Sequence, residues 1–391
     1  MNNSVKEKSR QGKSDLKIMD KSKDNIVLFH PYMPEKAKKS VNETLHTRWI
    51  GQGPKVDLFE KNFKNKFTKK RYPLAVGSGT DALHLAYILC GLKKGDEVIT
   101  TIFTCTATNI PLLYMGIKIK FADIQPNTMN IDPLSVKKLI TDKTKAIVCV
   151  HYGGLPCDMD ELQQIADERG IPIIEDAAQA IGAKYKGKYI GDISDFTIFS
   201  FQAIKQITTG DGGMVICNNS DLYKKGQRIR WFGIDRSAKY DGTWDNDICE
   251  IGYKYQMTDI SAAMGLAGLS DFEFIDKHRK SLLDEYTYNL DGFNDVEIVG
   301  RKVKNREHAA WLNTILVKDR FNLQIKLREN NIESNQVHFR NDRYTIFKEF
   351  CRNKKFPKMD SIEDRYLVLP LHMEMSLGDV QRICDVIKSG W

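Results

Sequence analysis

The chain of 391 residues has no apolar stretch that approaches the roughly 18 consecutive residues of a membrane-spanning helix. Residues 1–25 carry seven Lys or Arg against four Asp or Glu and contain no apolar block, which excludes a secretory signal peptide. Because large apolar side chains are scarce in this segment, we expect a basic, disordered tail. Together these absences predict a cytoplasmic protein with no membrane partner.

Clustered cysteines are also missing, since no Cys-x-x-Cys pair occurs among the eight cysteines. Structural zinc and iron–sulfur sites usually draw on such pairs, so we expect no metal centre. Cys149 lies in the apolar run 146–150. We interpret most of the cysteines as small buried side chains in a reducing cytoplasm.

Long basic runs are absent too, although the formal net charge is +8. The tail contributes +3 of it, and the remaining +5 is spread along the chain. This distribution does not favour nucleic acid as a partner. A mildly basic surface would suit a small substrate that carries a diphosphate, and it is equally typical of a solvated surface with no special partner.

Between residues 72 and 218, short strand-like runs alternate with helix-like segments, which is typical of an α/β fold. The strand-like runs are residues 74–76, 97–101, 117–122, 146–150, 172–175 and 196–201. Residues 81–92 and 158–169 have apolar positions at helical spacing. We therefore predict a large domain over residues 26–271, in which helices flank a mostly parallel central sheet, and a smaller C-terminal α+β domain over residues 272–391.

A glycine turn, residues 77–80, follows the first strand and opens a helix. Such a turn directs backbone N–H groups and the positive end of the helix dipole to one point, where a phosphate would bind. An ordinary turn capped by Ser78 or Thr80 would have the same sequence. The choice between the two depends on the rest of the site.

Two further residues supply reactive groups near the predicted sheet edge. Asp176 ends an apolar strand, and Lys205 follows another strand about thirty residues later. An amine that forms a Schiff base and a carboxylate that keeps a pyridine nitrogen protonated are the two groups that pyridoxal phosphate chemistry requires. Taken singly, Asp176 could be a helix cap and Lys205 a surface charge.

Several ordered motifs give the chain a resemblance to the DegT-type family of fold type I, pyridoxal phosphate-dependent nucleotide-sugar aminotransferases. The resemblance covers about residues 31–386. Its motifs are residues 49–54 (WIGQGP), 78–83 (SGTDAL), 150–153 (VHYG), 175–179 (EDAAQ), Ser200-Phe201 with Lys205, and Gly252-Tyr253 with Tyr255 and Met257.

The resemblance implies roles for individual residues. Lys205 would form the Schiff base with pyridoxal phosphate and shuttle protons, Asp176 would pair with the pyridine nitrogen, and Gln179 would lie near the phenolic oxygen. The phosphate would be bound by three residues, Gly79, Thr80 and Ser200. The resemblance also implies a homodimer with shared active sites, in which residues 252–257 of a partner subunit complete the phosphate site.

The chain departs from the family pattern at several positions. Cys105 occupies the position where many relatives have an aromatic residue that stacks on the cofactor ring. Lys254 and Gln256 replace an asparagine and an arginine, and Lys254 would then serve the phosphate as a point charge. Ala203 replaces a proline that usually precedes the lysine. These changes indicate a subgroup of the family.

Some residues keep two interpretations. His338, Phe339 and Arg340 align with a segment that can border the substrate pocket, and ordinary loop packing is as good an explanation. His151 would be either a hydrogen-bonded structural histidine, which we favour, or a contact to cofactor or substrate. Trp311 is predicted to lie in the core.

The sequence therefore predicts an enzyme that transfers an amino group from an amino acid, L-glutamate by resemblance, to C3 or C4 of a nucleotide-linked keto-6-deoxysugar. The product would serve deoxyaminosugar and glycan biosynthesis. An aminotransferase of a keto-cyclitol would use the same lysine chemistry. Sugar dehydratases on this scaffold have histidine in place of the lysine, so Lys205 disfavours them. A silent cofactor-binding regulator should have lost Lys205, Asp176 or Gln179, and all three are present.

Overall fold

The protein is described by a computed structural model for residues 25–235, 247–248, 250–301 and 303–391. The tail predicted over residues 1–25 therefore lies outside the described residues, except for Asn25. So does Cys249.

A seven-stranded sheet forms the centre of the fold, in the order β1-β10-β9-β6-β5-β2-β4. All its neighbours are parallel except β10, which pairs antiparallel with both β1 and β9. The α/β fold predicted from the alternating pattern is confirmed. The strands of the chain are β1 Tyr72–Val76, β2 Glu97–Thr101, β3 Phe103–Thr104, β4 Lys118–Ala122, β5 Thr144–Val150, β6 Ile173–Asp176, β7 Lys184–Tyr185, β8 Lys188–Tyr189, β9 Phe196–Ser200, β10 Gly213–Cys217, β11 Val296–Ile298, β12 Arg306–Glu307, β13 Asn313–Val317, β14 Phe339–Arg340 and β15 Tyr366–Leu369.

The central strands are largely buried because both faces of the sheet are covered. Successive side chains of a strand point to opposite faces, so Val148 packs in one hydrophobic cluster while its neighbours Ile147 and Cys149 pack in the other. On the second face, Phe63 of a covering helix meets Phe199 of β9 edge to face, with ring centroids 5.2 Å apart. The sheet is thereby held rigid beneath its carboxyl-terminal edge.

The covering helices are mostly those that connect consecutive strands, as expected for crossover connections in a parallel sheet. The helix that follows β1 begins with a cap, since the Ser78 side chain accepts a hydrogen bond from the Asp81 amide. The helices are α1 Glu35–Leu45, α2 Pro54–Phe67, α3 Gly79–Leu89, α4 Thr106–Tyr114, α5 Pro133–Leu139, α6 Met159–Asp167, α7 Ser220–Ile229, α8 Asp259–Ser270, α9 Phe272–Leu290, α10 Arg320–Glu329, α11 Lys348–Cys351, α12 Pro357–Asp360 and α13 Leu377–Lys388.

The C-terminal part of the chain builds a second, three-stranded antiparallel sheet in the order β11-β13-β15. Its hydrophobic cluster includes residues of α9, α10 and α13. The predicted boundary at residue 272 coincides with the start of α9, but the short strand β14 pairs with β3 and β12 pairs with β7. The division into two domains stays a prediction.

No helix among the described residues combines the length and the apolar character that crossing a bilayer requires.

Candidate active site

The sheet brings the predicted site residues to one edge. Strands β6 and β9 are parallel neighbours that end at Asp176 and Ser200. Across the antiparallel strand β10, Gly213 faces both Ser200 of β9 and Val76 of β1. The turn after β1 therefore lies beside Ser200. Both are at the carboxyl-terminal edge of the parallel strands, where ligands of such sheets bind.

Asp176 is a buried carboxylate, with 4% of its surface exposed. Its Oδ2 accepts a hydrogen bond of 2.7 Å from the Thr108 hydroxyl, and its Oδ1 accepts one of 3.1 Å from the Ala178 amide. Burial raises the pKa of this carboxyl above its usual value, although these two hydrogen bonds oppose the shift. A cationic partner at this site would stabilise the charged form.

Lys205 lies just beyond β9, with its amino group over the Trp311 ring. The distance from Nζ to the ring centroid is 3.8 Å, within the range of a cation–π contact. The Trp311 indole N–H donates a 3.2 Å hydrogen bond to the carbonyl of Ile204, which fixes the ring under the lysine. Burial lowers the pKa of Lys205 to about 8, while the charge of Asp176 opposes the shift. The lysine therefore has a substantial neutral, nucleophilic fraction near physiological pH.

Gln179 and His338 form one wall of the site. The Gln179 carbonyl oxygen accepts a 2.7 Å bond from the Gly153 amide, and its Nε2 lies 3.0 Å from Nε2 of His338. Because the amide nitrogen can only donate, Nε2 of His338 accepts and the ring proton of a neutral imidazole is assigned to Nδ1. Burial lowers the pKa of His338 to about 3, and the charge of Lys205 adds to the effect. His338 is accordingly neutral, and its ring stacks on Trp311 at 6.0 Å between centroids.

The glycine turn after β1 packs directly on Ser200. A Cβ added to Gly79 would lie 2.9 Å from the Ser200 Cβ and 3.1 Å from its hydroxyl oxygen, so a larger residue cannot be placed there without a shift. The first turn of α3 leaves amide groups that the helix itself does not use. These amides and the Ser200 hydroxyl lie close together, and an oxyanion such as a phosphate requires several neighbouring donors. Burial also raises the pKa of nearby Asp81 to about 6.

The remaining predicted residues occupy different places. Cys105 is exposed at the start of α4, and its thiol is close enough to Lys205 to affect the lysine pKa. Lys254 is exposed, with Nζ 3.6 Å from the centroid of the Trp231 ring in the same chain. A role for Lys254 in a phosphate site stays a prediction, because the structure describes a single chain.

The segment predicted to border the substrate contributes His338 to the site, while its neighbours have other contacts. Phe339 and Arg340 form β14. The guanidinium of Arg340 binds both carboxylate oxygens of Asp342, at 2.6 and 2.7 Å, and also contacts Glu363 at 2.9 Å. A substrate contact by Arg340 stays a prediction, and it would have to compete with these acids.

His151 is a structural histidine, as favoured from the sequence. Its Nε2 lies 2.9 Å from the Glu175 carboxylate, and its Nδ1 accepts a 3.1 Å bond from the Cys157 amide. The ring is fully buried. Ligand atoms of Cys149, His151 and Cys157 lie within 4.8 Å of one another, but both imidazole nitrogens are already occupied.

Two residues of the site were not assigned to it from the sequence. Thr108 orients the carboxylate of Asp176, and Trp311, predicted as core and indeed only 1% exposed, also contacts Lys205. Trp311 reaches the site from a distant part of the chain, and no local pattern marks it. The sequence around Cys105 contains Thr108, and a hydroxyl one helical turn after the predicted ring position was the available signal.

Comparison with known proteins decides the family. The model of the DegT/DnrJ/EryC1/StrS aminotransferase family matches residues 31–388. The chain belongs to this family. Within it, GDP-perosamine synthase of Escherichia coli O157:H7 is 35% identical over 369 residues, which cover 93% of this chain and 98% of that protein.

Solved structures agree with this membership. The sugar aminotransferase CalS13 of Micromonospora echinospora superposes with a TM-score of 0.88 at 30% identity, covering 93% of this chain and 99% of that one. Spr1654 of Streptococcus pneumoniae, solved in a PLP form, gives a TM-score of 0.86 at 29% identity, covering 93% and 98%. As a member of the family, the chain is a pyridoxal phosphate-dependent sugar aminotransferase. The predicted cofactor and enzyme class are confirmed.

Proposed function

We propose that the enzyme transfers an amino group from L-glutamate to C3 or C4 of a nucleotide-linked keto-6-deoxysugar, for the synthesis of deoxyaminosugars in glycans. The observation that carries the proposal is that a buried amine of lowered pKa, Lys205, and a buried carboxylate, Asp176, lie at the same edge of the sheet. The names of relatives support the substrate class, since GDP-perosamine synthase is named for a GDP-linked product and SpsC of Bacillus subtilis is a spore coat polysaccharide biosynthesis protein.

The residues at the sheet edge fit pyridoxal phosphate. Asp176 has an OH and an N–H donor but no cation within ion-pair distance among the described residues, so a protonated pyridine nitrogen would complete its surroundings. Gly79, Thr80 and Ser200 would bind the phosphate. When bound, the cofactor supplies an electron sink for the negative charge that develops on the substrate carbon.

Lys205 would bind the cofactor covalently and then carry protons on Nζ during turnover. A pKa of about 8 suits both tasks, because the amine can give up and regain a proton near physiological pH. Trp311 would keep the amine in place and exclude water from one side of it. Neutral His338 would hold Gln179 by hydrogen bonding, and Gln179 would lie near the phenolic oxygen of the cofactor.

Cys105 is proposed to lie against the cofactor ring. A thiol is smaller than the aromatic side chains expected at this position and would leave more room above the ring. It would contact the ring through polarisable sulfur and would not stack.

A homodimer is proposed to complete the site, with Lys254 of each subunit reaching the phosphate of the other. The support is a set of exposed apolar side chains, one of which, Phe232, has its ring centroid 5.6 Å from the Lys254 amine. These are Leu45, Trp49, Ile50, Phe232, Ile248 and Ile251. Sedimentation should give the mass of a dimer. Lys254→Gln should weaken binding of the cofactor through its phosphate group and should leave the dimer intact. A monomer with full activity would refute the shared site.

The function is tested by incubating the purified enzyme with glutamate and a panel of nucleotide-linked 3-keto and 4-keto sugars, with products identified by mass and NMR. One sugar should be aminated, and Lys205→Ala should abolish both the reaction and the visible absorption of the covalently bound cofactor. If no sugar reacts but a keto-cyclitol does, the cyclitol aminotransferase is correct. Normal turnover by Lys205→Ala would refute the assignment of the lysine.

A further inference from the structure

A second cavity lies behind the active site, where the C-terminal sheet meets the turn after β5. It has a volume of about 280 Å³. Its lining residues include Leu155 from the turn, Lys280 from α9, Arg301 from the segment after β11, Arg306 from β12 and Asn313 from the start of β13. None of these residues belongs to the proposed catalytic machinery.

Three residues that line this cavity carry buried polar atoms without partners among the described residues. Asn313 is only 1% exposed, yet neither its Nδ2 nor its Oδ1 has a hydrogen-bond partner among the described residues. The Nε atoms of Arg301 and Arg306 are likewise buried and unsatisfied within the described chain. An unpaired buried polar group is unfavourable, so such atoms in a native protein call for a ligand or water. Three of the four are donors, which favours a ligand rich in acceptors.

Two basic side chains of the cavity are less exposed than two of the acids around it, although Arg306 is also paired with Asp158, whose side chain is 15% exposed. The Arg301 and Arg306 side chains are 22% and 10% exposed, whereas those of Asp284 and Glu307 are 79% and 49% exposed. Asp284 lies 3.7 Å from Arg301, but its exposure to solvent weakens that attraction. Lys280, also bound to a neighbouring acid, adds a third cation to the lining.

His308 extends the donor surface. Its Nδ1 accepts a 2.8 Å bond from the Ala310 amide, so in the neutral ring the proton is on Nε2. The ring is neutral because burial, with the charges of Arg301 and Lys280, lowers the pKa of His308 to about 3. The histidine thus offers a neutral N–H donor to the cavity region and adds no positive charge.

We propose that this cavity is a binding site for a small oxyanion, a carboxylate or a phosphate group, held by Arg301, Arg306 and the Asn313 amide. The volume corresponds to roughly nine water molecules at about 30 Å³ each, so a nucleotide sugar is too large and a small metabolite fits. Acceptor oxygens would satisfy the three unpaired donors, while a hydroxyl or protonated oxygen would satisfy Oδ1 of Asn313.

The proposed site shares a wall with the active site. The Gly153 carbonyl accepts hydrogen bonds of 3.1 and 3.0 Å from the amides of Trp311 and Leu312. The amide of Gly153 in turn donates to Gln179. Leu312 and Asn313 line the cavity, whereas Trp311 lies under Lys205. The anion site is therefore separate from the cofactor site, with one strip of backbone between them.

The test is calorimetric titration of the cofactor-loaded enzyme with inorganic phosphate and, separately, with malonate. Loaded enzyme is used because the cofactor occupies the phosphate-binding turn. At least one anion should bind saturably at one site per chain, with no change in the visible absorption of the cofactor. Arg301→Gln and Asn313→Leu should each weaken this binding about tenfold or more, because each removes a donor to the anion. Tighter binding of phosphate than of malonate would indicate a phosphate ester as ligand, and the reverse a carboxylate.

Lys277→Gln is the matched control, since it removes a positive charge from an exposed position of the same helix, α9, outside the cavity. This variant should bind as the unaltered enzyme does. If Asn313→Leu fails to fold, Arg301→Gln and Lys280→Gln decide the outcome. Absence of saturable binding, or equal weakening by Lys277→Gln and Arg301→Gln, would overturn the proposal and leave a cavity filled with water.

Discussion

Thr108 should be a positioning residue for the cofactor, through its hydrogen bond to Asp176. The hydroxyl donates to Oδ2 at 2.7 Å and accepts from the Thr104 hydroxyl at 2.9 Å, so its orientation is fixed. Burial already raises the pKa of Asp176, and the Thr108 bond is the largest single effect against that shift. Thr108→Val keeps the shape of the side chain and removes this donor.

The size of the effect follows from the strength of such bonds. A hydrogen bond to a charged group contributes about 1.5–3 kcal/mol, and one pKa unit corresponds to about 1.4 kcal/mol. Loss of the Thr108 hydroxyl should therefore destabilise the charged form of Asp176 by about 1.5–3 kcal/mol and raise its pKa further. A protonated Asp176 cannot hold a positive charge on the ring nitrogen, so the acidic limb of the pH profile of kcat/KM should move to higher pH.

The assay is the pH dependence of kcat/KM for Thr108→Val, with Thr108→Ser as the matched control. Serine keeps the hydroxyl and should restore the profile of the unaltered enzyme. A general loss of packing would lower the rate equally at all pH values and would not be rescued selectively. An unchanged acidic limb in a folded Thr108→Val enzyme would refute the reasoning.

Three further predictions concern other parts of the structure. The rate at which the apo-enzyme binds its cofactor covalently can be measured by absorbance after rapid mixing. This rate should increase with pH, because only the neutral amine of Lys205 reacts. The midpoint of the increase should lie near the lowered Lys205 pKa of about 8. Gly79→Ala places a Cβ 2.9 Å from that of Ser200, and such overpacking should weaken cofactor affinity by about 1–3 kcal/mol in a fluorescence titration. Arg230→Leu leaves the buried carboxylate of Glu60, which lies 2.7 Å from the Arg230 guanidinium, without its ion-pair partner. The free energy of unfolding, measured with denaturant, should fall by about 3–5 kcal/mol.

Controls separate these effects from general damage. Gly378→Ala adds a Cβ whose nearest neighbour, the Ser376 hydroxyl, is 3.5 Å away, so cofactor affinity should not change. Adding Glu60→Leu to Arg230→Leu removes the stranded charge and should recover part of the lost stability. The first prediction would be contradicted by a midpoint of covalent attachment above pH 10. The second would be contradicted by normal cofactor affinity of Gly79→Ala, and the third by normal stability of Arg230→Leu.

Local sequence patterns were enough to predict much of the central sheet. The apolar run that became β5, Thr144–Val150, is buried on both faces, so its composition alone marks it as a strand. Strand β10, Gly213–Cys217, was not singled out, although it is just as apolar. Its antiparallel insertion between β1 and β9 depends on the pairing of distant segments, which local periodicity does not encode.

The site was predicted to a similar extent, for a similar reason. Residues at strand ends, such as Asp176 and Ser200, follow from the rule that parallel strands end at one edge. The lysine contact of Trp311 joins positions 106 residues apart, and the bond from Gln179 to His338 joins positions 159 apart. Contacts of this kind arise only when the C-terminal part packs against the sheet.

Burial acts in opposite directions on the two reactive groups, and this explains why the site suits its cofactor. It lowers the pKa of Lys205 and raises that of Asp176, so in both cases it favours the neutral form. Among the residues that the structure describes, neither group has an ion pair like that of Arg230, where Glu60 lies 2.7 Å away. A ligand with a basic ring nitrogen would supply a cation to Asp176, and an aldehyde would consume the neutral amine of Lys205. The unfavourable electrostatics of these two buried groups would therefore be relieved when a pyridoxal group binds, which would not hold for a structural lysine or a capping aspartate.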